Sequence, residues 1–591
     1  MHSDLLICTT FQYNGRMDIK KTLAVLFFAS VLALASAQTA QKLQVINDSQ
    51  LIPAGHQIYD DFYELCTESG IATLADVAPV SVAELKFYLK AVDTDKLSET
   101  GIALYKQVYN FLYPYDDENA PDGLRFNADL TVNPELYWKS NDNTDWSFFK
   151  YLEDYPLKLP VYLGFSNYLC MEGDLFFGKH IMQAALPTSF TNIPCSLADI
   201  DFLFPNYANV SGGASFESWG FNIQMGRSDL TIGKTLTGSL IYNTTFETNA
   251  YLTASLWANN FKGTFTFAQV DFKRYINMHH LQMNILPNLK LGILEGQLIY
   301  GDPELRFFNP LMILHNFYPS DDLIYFLDDM DSFYDVNYCA YLGLIADYVP
   351  VKNVRLYFLF AMNEMQLPSE LDSQYGRLLP DSFGIQAGAD AFFEAPGGGK
   401  WKLNAEGIYT TPFMYIKQDP RWSMIRQRYD RIWSVRTGNK TVDSWIGTPF
   451  GPDCIAADIK LTYEMGDKWD CGFEYLMKMK GEMDFSVLEA PQVEGQGDYA
   501  GKTFCNYYPS VRHYYTATGS LEDNERLARS HWLTGIIETT HRVSLTGSYM
   551  FGNGIKLSGK TSYVFVLNRN HISGNFQHGI EFALSASYAI F

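Results

Sequence analysis

The feature that most constrains this chain is an alternation of apolar with small or polar residues, which begins near residue 120 and runs to residue 591. The segment GIEFALSASYAIF (579–591) shows it clearly. One of its faces carries Ile580, Phe582, Leu584, Ala586, Tyr588 and Ile590. The other face carries Glu581 and small residues. Because successive side chains of a strand point to opposite sides, this segment predicts a strand between two different environments.

The same pattern recurs along the chain and is separated by turn residues. Four clear examples are residues 353–365, 384–416, 458–481 and 541–567. Short turns rich in Gly, Asn and Asp interrupt them, as expected for antiparallel hairpins. Long polar loops at 311–340, 414–450 and 486–531 alternate with these turns.

Short turns at one rim and long loops at the other are typical of an outer-membrane barrel, with apolar residues facing lipid. At roughly 25 residues for each strand and its connections, residues 119–591 predict about 16 to 20 strands. We therefore expect an all-β fold, a transmembrane antiparallel β-barrel of about 18 strands. One strand alone would also fit the edge of a soluble sheet.

Composition agrees with a barrel better than with a helical membrane protein. Aromatic residues make up 15% and hydrophobic residues 47% of the chain, yet the mean hydropathy is only −0.11. Spanning helices would need apolar runs of about 18 or more residues. In alternating strands the apolar and polar residues offset each other, so the mean hydropathy stays near zero. The formal net charge of −22 argues against a general nucleic-acid binder, so no nucleic-acid partner is expected.

The N-terminal 37 residues predict export. Residues 1–16 form an upstream extension, and Met17–Ala37 has a basic start at Lys20 and Lys21, an apolar run and a small-residue end. This is the pattern of a secretory signal peptide. We expect cleavage before Gln38 and a final location in the bacterial outer membrane.

Residues 38–118 differ from the rest because their apolar residues follow helical spacing. Ile58, Phe62 and Leu65 lie on one helical face, and Ser81 with Glu84 resembles a helix start. Ser98 opens a third such segment. The sequence predicts about three short helices, too few to bury their faces alone, so this periplasmic helical region should dock on the barrel.

Signals for catalysis or for a cofactor are weak. The sequence has no H-E-x-x-H, G-x-S-x-G or P-loop motif. His279-His280 and the acidic run at 319–335 are more typical of satisfied or solvated residues than of metal or catalytic sites. We expect no enzymatic activity, no cofactor and no metal.

Segment 417–440 is the strongest candidate binding site. It concentrates guanidinium and aromatic side chains in an acidic protein: Arg421, Trp422, Arg426, Arg428, Tyr429, Arg431, Trp433 and Arg436. Arginine binds carboxylates and phosphates in a forked geometry, and aromatic rings stack on sugar faces. An acidic glycan would suit this set. A loop folded into the lumen, with its Arg side chains paired to acids, suits it equally well.

The order of several segments resembles the capsule assembly Wzi family. The residues that carry the resemblance are the helical segments of 58–108 and FNIQMGRSDLTIG (221–233), followed by a hairpin with Glu295, the Asn309-Pro310 pair and WIGTPFGPDC (445–454). The family usually has a Trp-Gly pair where this chain has Ile232-Gly233. The resemblance implies an 18-stranded barrel with periplasmic helices and a lectin-like role in holding capsular polysaccharide.

The expected function is therefore a non-enzymatic barrel that binds, anchors or helps assemble surface polysaccharide. Surface polysaccharide, outer-membrane lipid and the barrel-assembly machinery are the expected partners. Two alternatives remain open, namely a porin-like diffusion channel and a surface adhesin.

The export hypothesis makes a direct prediction. Protein purified from the outer-membrane fraction should begin at Gln38, because the small residues before it fit signal peptidase. N-terminal sequencing measures this. A mature protein that retains Met17 would contradict the signal-peptide interpretation.

Overall fold

The computed structural model describes residues 45–590 except 115–122, 145–154, 180–189, 195–199, 204–206, 244–248, 272, 304, 312–337, 373–378, 418–422, 430–439, 467, 486–520 and 553. In this part of the chain no helix has the length and apolar character needed to cross a bilayer.

Three helices lie near the N-terminus: α1 (Gln57–Ser69), α2 (Val82–Leu89) and α3 (Glu99–Leu112). The hydroxyl groups of Ser81 and Ser98 accept hydrogen bonds from the first turns of α2 and α3 at 3.3 and 3.0 Å, as N-cap residues do. Gly70 ends α1 with φ 79°, a left-handed conformation that favours glycine. A fourth helix, α4 (Leu521–Ala528), and short 3₁₀ turns at Thr94–Lys96, Leu305–Phe308 and Arg569–His571 lie outside this group.

The rest of the chain forms a closed antiparallel barrel of 18 strands, which confirms the predicted fold class. Two of the strands are interrupted, β1 twice and β4 once. The strands are β1 (Leu124–Ala128, Thr131–Val132, Glu135–Lys139), β2 (Leu157–Phe165), β3 (Leu169–Lys179), β4 (Ile200–Leu203, Ala208–Ser215), β5 (Trp219–Ser228), β6 (Asn249–Ala258), β7 (Phe261–Asp271), β8 (Arg274–Leu286), β9 (Leu289–Tyr300), β10 (Tyr338–Val351), β11 (Val354–Glu364), β12 (Ser382–Glu394), β13 (Lys400–Thr410), β14 (Cys454–Met465), β15 (Trp469–Lys480), β16 (Glu538–Met550), β17 (Lys556–Leu567) and β18 (Gln577–Ala589).

The outer face of the barrel is apolar and exposed. In one row across three strands, Leu281, Ile293 and Leu344 are 51%, 48% and 40% exposed. On β18, Ile580 and Phe582 are exposed while Glu581 is buried inside, as the alternation predicted. Ala586 and Tyr588, on the same predicted face as Ile580, are buried instead, and Tyr588 packs against Ile555. A closed sheet with an apolar exterior is the architecture of a transmembrane barrel.

The two rims of the barrel differ. Turns of a few residues join β8 to β9 and β10 to β11 at one end, called here the short-turn rim. Longer connections leave the opposite end, called here the long-loop rim. The helical group lies at the short-turn rim, where Ala72 N–H donates to Pro287 O at 2.9 Å and Asn353 N–H donates to Thr67 O at 3.3 Å.

Buried ion pairs hold the helical group to the barrel wall. Lys290 of β9 donates to Asp76 at 2.7 Å and also contacts Asp347. Lys262 of β7 donates to Glu84 of α2 at 2.5 Å. Burial alone would raise the pKa of the Asp76 carboxyl, but the neighbouring cations, Lys290 foremost, outweigh it and hold that pKa below its usual range. The helical group is therefore fixed by charge pairs shielded from water.

A segment between β5 and β6 runs back through the lumen to the helical group. Its short strand Thr231–Ile232 pairs with Val77–Ala78 on one side and with Tyr242–Asn243 on the other. Glu406 of the wall accepts hydrogen bonds from Leu236 N–H at 2.8 Å and Thr237 N–H at 3.2 Å. Residues 229–243 thus connect the helices, the lumen and the barrel wall.

Apolar side chains fill much of the lumen around this segment. Leu240 and Ile241 are fully buried against inward-facing wall residues such as Ile276, Leu294 and Leu359. Barrels of this size usually enclose a polar, water-filled channel. Here residues 229–243 and the facing wall form an apolar core on one side of the lumen, whereas Glu474, Arg542 and Lys560 make another side charged.

The buried ion pairs predict how the helical group can be released. Lys290→Met leaves Asp76 and Asp347 without their shared cation, which should cost about 3–5 kcal/mol. We expect residues 45–112 to become sensitive to protease while the barrel stays folded, as seen on a gel of the unheated protein. Lys468→Met is the matched control, because Lys468 is exposed in the β14–β15 turn at the same rim. Equal protease resistance of both variants would refute this role of Lys290.

Candidate functional site

The connection between β13 and β14 contains the segment that the sequence selects as a binding site. It first turns into the lumen, where Phe413, Met414, Tyr415 and Ile416 are fully buried. Tyr415 N–H donates to Asn363 Oδ1 at 3.0 Å. The Tyr415 hydroxyl donates to Leu240 O at 2.5 Å and accepts from Thr448 N–H at 3.1 Å. This stretch fastens the connection to the lumenal segment described above.

A two-stranded hairpin then rises from this anchor. Ile425–Tyr429 pairs with Lys440–Trp445, with Ile425 opposite Trp445. The hairpin base is buried, and the Trp445 ring stacks on Phe485 with 4.3 Å between ring centroids. Met424 N–H donates to Tyr415 O at 2.7 Å. The base of the hairpin is therefore packed on buried apolar side chains. Tyr415, Met424, Ile425, Trp445 and Phe485 are called here the seat of the hairpin.

The base of the hairpin lies at the long-loop rim. Arg426 Nε donates to Val270 O at 3.3 Å, and Arg274 Nη2 donates to Ser423 O at 2.5 Å. Val270 and Arg274 flank the connection of β7 to β8 at that rim. Burial lowers the pKa of the Arg426 guanidinium.

The predicted site residues divide into three groups. Arg426 is 8% exposed and lies against the barrel wall, which fits an inward-folded residue better than an exposed glycan contact. Arg428 and Tyr429 continue the first strand of the hairpin, opposite Val442 and Lys440. The structure describes only the backbone of these two residues. Five predicted site residues lie outside the described part of the chain: Arg421, Trp422, Arg431, Trp433 and Arg436. The acidic run at 319–335 lies outside it too.

Sequence reasoning missed the residues that seat the hairpin. Lys417 forms an ion pair with Glu364 at 2.5 Å, and its N–H donates to Ser423 Oγ at 3.0 Å. Asn363 and Glu364 end β11, far away in sequence. The contact between this pair and the Arg-rich segment was not predicted, because periodicity does not report long-range contacts.

A second anchor lies beside the start of β14. The Asp453 carboxylate accepts hydrogen bonds from Met483 N–H at 3.0 Å and Thr534 N–H at 3.1 Å. The β13–β14 and β15–β16 connections are thereby tied together at one point. Chemically, the arrangement is a rigid base for a cationic and aromatic hairpin.

Within the described residues no group of three or more His, Cys, Asp or Glu side chains is placed to hold a metal ion.

Comparison with known proteins shows similarity in fold. No family model and no curated protein sequence matches the chain. Wzi, an outer-membrane protein involved in group 1 capsule assembly in Escherichia coli and described as a carbohydrate-binding β-barrel, is similar over 91% of this chain and 99% of its own, with 11% identity and a TM-score of 0.50. OprD of Pseudomonas aeruginosa is similar over 81% of this chain and 99% of its own, with 9% identity and a TM-score of 0.38. At 11% identity the likeness to Wzi supports the barrel fold alone.

The seat of the hairpin can be tested directly. Trp445→Ala removes a buried aromatic side chain, a change that costs about 3–5 kcal/mol in well-packed sites. We expect trypsin to cut within residues 417–440 at least tenfold faster, while the barrel remains folded. Trp532→Ala is the control, because Trp532 is 62% exposed. Unchanged cleavage in the Trp445 variant would show that the hairpin does not depend on this seat.

Proposed function

We propose that this protein is a non-enzymatic outer-membrane barrel that binds surface polysaccharide and so anchors it or helps to assemble it. In this proposal the signal peptide is cleaved, the helical group faces the periplasm and the long-loop rim faces outward. The observation that carries the proposal is the apolar filling of the lumen beneath a hairpin seated at the long-loop rim.

A filled lumen favours anchoring over diffusion. A porin keeps a polar, hydrated path, whereas Leu240, Tyr415 and Trp445 here belong to one apolar cluster with the wall. Opening a path through them would expose that cluster to water, at about 25 cal/mol for each Å². Because opening this cluster is costly, the cluster provides a rigid support for the outer loops.

The composition of the hairpin supports an acidic glycan as the ligand. Arg428 and Arg431 could form charge-assisted hydrogen bonds with sugar carboxylates or phosphates. Trp422 and Trp433 could stack on sugar rings. Carbohydrate binding by Wzi, which shares the barrel fold, is consistent with this assignment.

A porin-like channel is the second candidate, because one side of the lumen is charged. Lys560 of β17 contacts Glu474 at 3.2 Å, and Arg542 of β16 contacts the same carboxylate. Lys560 remains 30% exposed. Charged walls of this kind select ions in channels. The third reading, an adhesin, would use the same outward loops but would not retain polysaccharide on its own cell.

Deletion of the gene separates these functions. Loss of the protein should move polysaccharide from the cell surface to the medium, measured as cell-bound and shed fractions. Planar-bilayer recordings of the purified protein should show no large steady currents. An unchanged partition together with steady open-channel currents would favour the porin.

The hairpin variants test the ligand. Arg428→Ala with Arg431→Ala should lower polysaccharide affinity more than tenfold, because each charge-assisted contact contributes roughly 1.5–3 kcal/mol and about 1.4 kcal/mol is one decade. Replacement of both by Lys should restore binding only partly, since Lys lacks the fork. Trp433→Ala should weaken binding without changing its salt dependence. Binding is measured on purified protein with isolated polysaccharide.

Lys96→Ala with Lys352→Ala is the matched control, because it removes the same charge from the opposite rim. Normal binding by the double Arg variant, together with altered ion selectivity in bilayers, would place the segment in the lumen. The channel would then become the better proposal.

A further inference from the structure

A polar depression lies at the long-loop rim, where the last strand of the barrel meets the first. It has a volume of about 270 Å³ and is lined by Asp142, Asn143, Arg569, Asn570, Asn575 and Gln577. The described part of the Arg-rich hairpin contributes no residue to this lining. None of the described residues that line it is apolar, which is unusual for a ligand-sized recess in a protein surface.

One wall is the connection from β17 to β18, which is held in a defined shape. Asn568, Asn570 and His571 have φ between 54° and 57°, the left-handed region that residues other than glycine rarely adopt. Asn570 N–H donates to Glu538 Oε2 at 2.7 Å, and Asn575 Nδ2 donates to Arg569 O at 3.0 Å. These bonds offset the strain of the backbone and fix the wall.

The other wall is the segment that follows β1, and it is tied across to β18. Asn141 Nδ2 donates to His578 O at 2.9 Å, and Ile580 N–H donates to Ser140 Oγ at 2.8 Å. Asn143 N–H donates to Asn141 Oδ1 at 2.9 Å. Both walls are therefore preorganised before any ligand arrives.

Several polar groups in the depression remain available. The side-chain amides of Asn143 and Asn570 are exposed and form no hydrogen bond with the rest of the described chain. The Asp142 side chain is 93% exposed, 4.0 Å from Lys139 Nζ. The cation in the lining, Arg569, is paired with Glu538 at 3.2 Å. The depression thus offers two amides and a carboxylate rather than positive charge.

This set of groups fits hydroxyl-rich, uncharged ligands. An amide offers both donors and an acceptor, and a carboxylate accepts hydrogen bonds from two adjacent hydroxyl groups. Drug-sized ligands occupy pockets of about 300–1,000 Å³, so the volume here suits one sugar ring or the end of a short chain. An anionic sugar would be repelled by Asp142.

We propose that this depression binds a neutral sugar unit, distinct from the acidic glycan assigned to the hairpin. The sugar could belong to the retained polysaccharide or to the saccharide core of lipopolysaccharide beside the barrel. The first source rests on the proposed function, whereas the second does not.

Saturation-transfer NMR on the detergent-solubilised full-length protein tests this inference with methyl glycosides of glucose, galactose and mannose as probes. We expect saturation of at least one glycoside by the unmodified protein. Asn143→Leu with Asn570→Gly, which keeps the left-handed backbone at residue 570, should reduce its affinity at least tenfold, because the available amide donors and acceptors are lost. Asn259→Leu, an exposed Asn at the short-turn rim, should leave affinity unchanged.

Two outcomes would overturn the proposal: no saturation of any neutral glycoside, or equal affinity in the double variant and the unmodified protein. Stronger glycoside binding by Asp142→Asn would also overturn it, because the carboxylate is assigned as an acceptor of hydroxyl groups. The barrel should stay folded in all three variants, since the changes lie in exposed connections.

The source of the sugar is decided by two further probes, the deacylated lipopolysaccharide core and neutral fragments of the surface polysaccharide. Saturation that depends on Asn143 and Asn570 supports the proposal with either probe and identifies the source. If gene deletion releases no polysaccharide while the glycosides still bind, the proposed function fails and this inference stands. If deletion releases polysaccharide but the glycosides do not bind, the proposed function stands and this inference fails.

Discussion

The structure depends on closure of the sheet, since a bilayer offers no water to an unpaired strand edge. That closure rests on β1, an interrupted strand. β18 pairs with β17 along residues 577–587 but with β1 only at 131–132 and 135–139 within the described chain. Side-chain and turn contacts supplement the seam, including Ile580 N–H to Ser140 Oγ at 2.8 Å and Ile590 N–H to Leu130 O at 2.7 Å. The barrel is closed by pairing where the strand is regular and by local polar contacts where it is not.

Closure leaves a wide interior, and the chain fills it with its own segments. The helical group occupies the short-turn rim, residues 229–243 lie in the middle, and the hairpin base lies at the long-loop rim. Buried charges connect these layers to the wall, as Arg355 of β11 shows. Its guanidinium forms ion pairs with Asp347 and Asp390, the latter at 2.8 Å. It also donates a hydrogen bond to Lys234 O at 2.8 Å. Breaking such a pair is costly because the partner stays buried. The filling and the wall therefore behave as one unit.

The sequence predicts the barrel well and its interior poorly. Alternation is local, so residues 579–591 separate the two faces of β18, and Ser81 with Glu84 marks the start of α2. The filling depends on contacts between distant segments, such as Tyr415 with Asn363 or Lys290 with Asp76, for which no spacing rule exists. Arg426 illustrates the limit, because nothing in its sequence context marks it as buried, yet it packs against Val270 at the hairpin base. Burial of that kind is decided by tertiary packing.

The seam and the rim depression are physically connected. The walls of the depression are the connections on either side of the closure, and Asn141 bridges them through His578 O. A ligand that contacts Asn143 on one wall and Asn570 on the other would bind the closed barrel and not an open sheet. By linkage, it would stabilise the closed state by about 2.7 kcal/mol at a concentration one hundred times its Kd. Sugar at the outer surface would then strengthen the barrel where β1 provides the fewest backbone pairs.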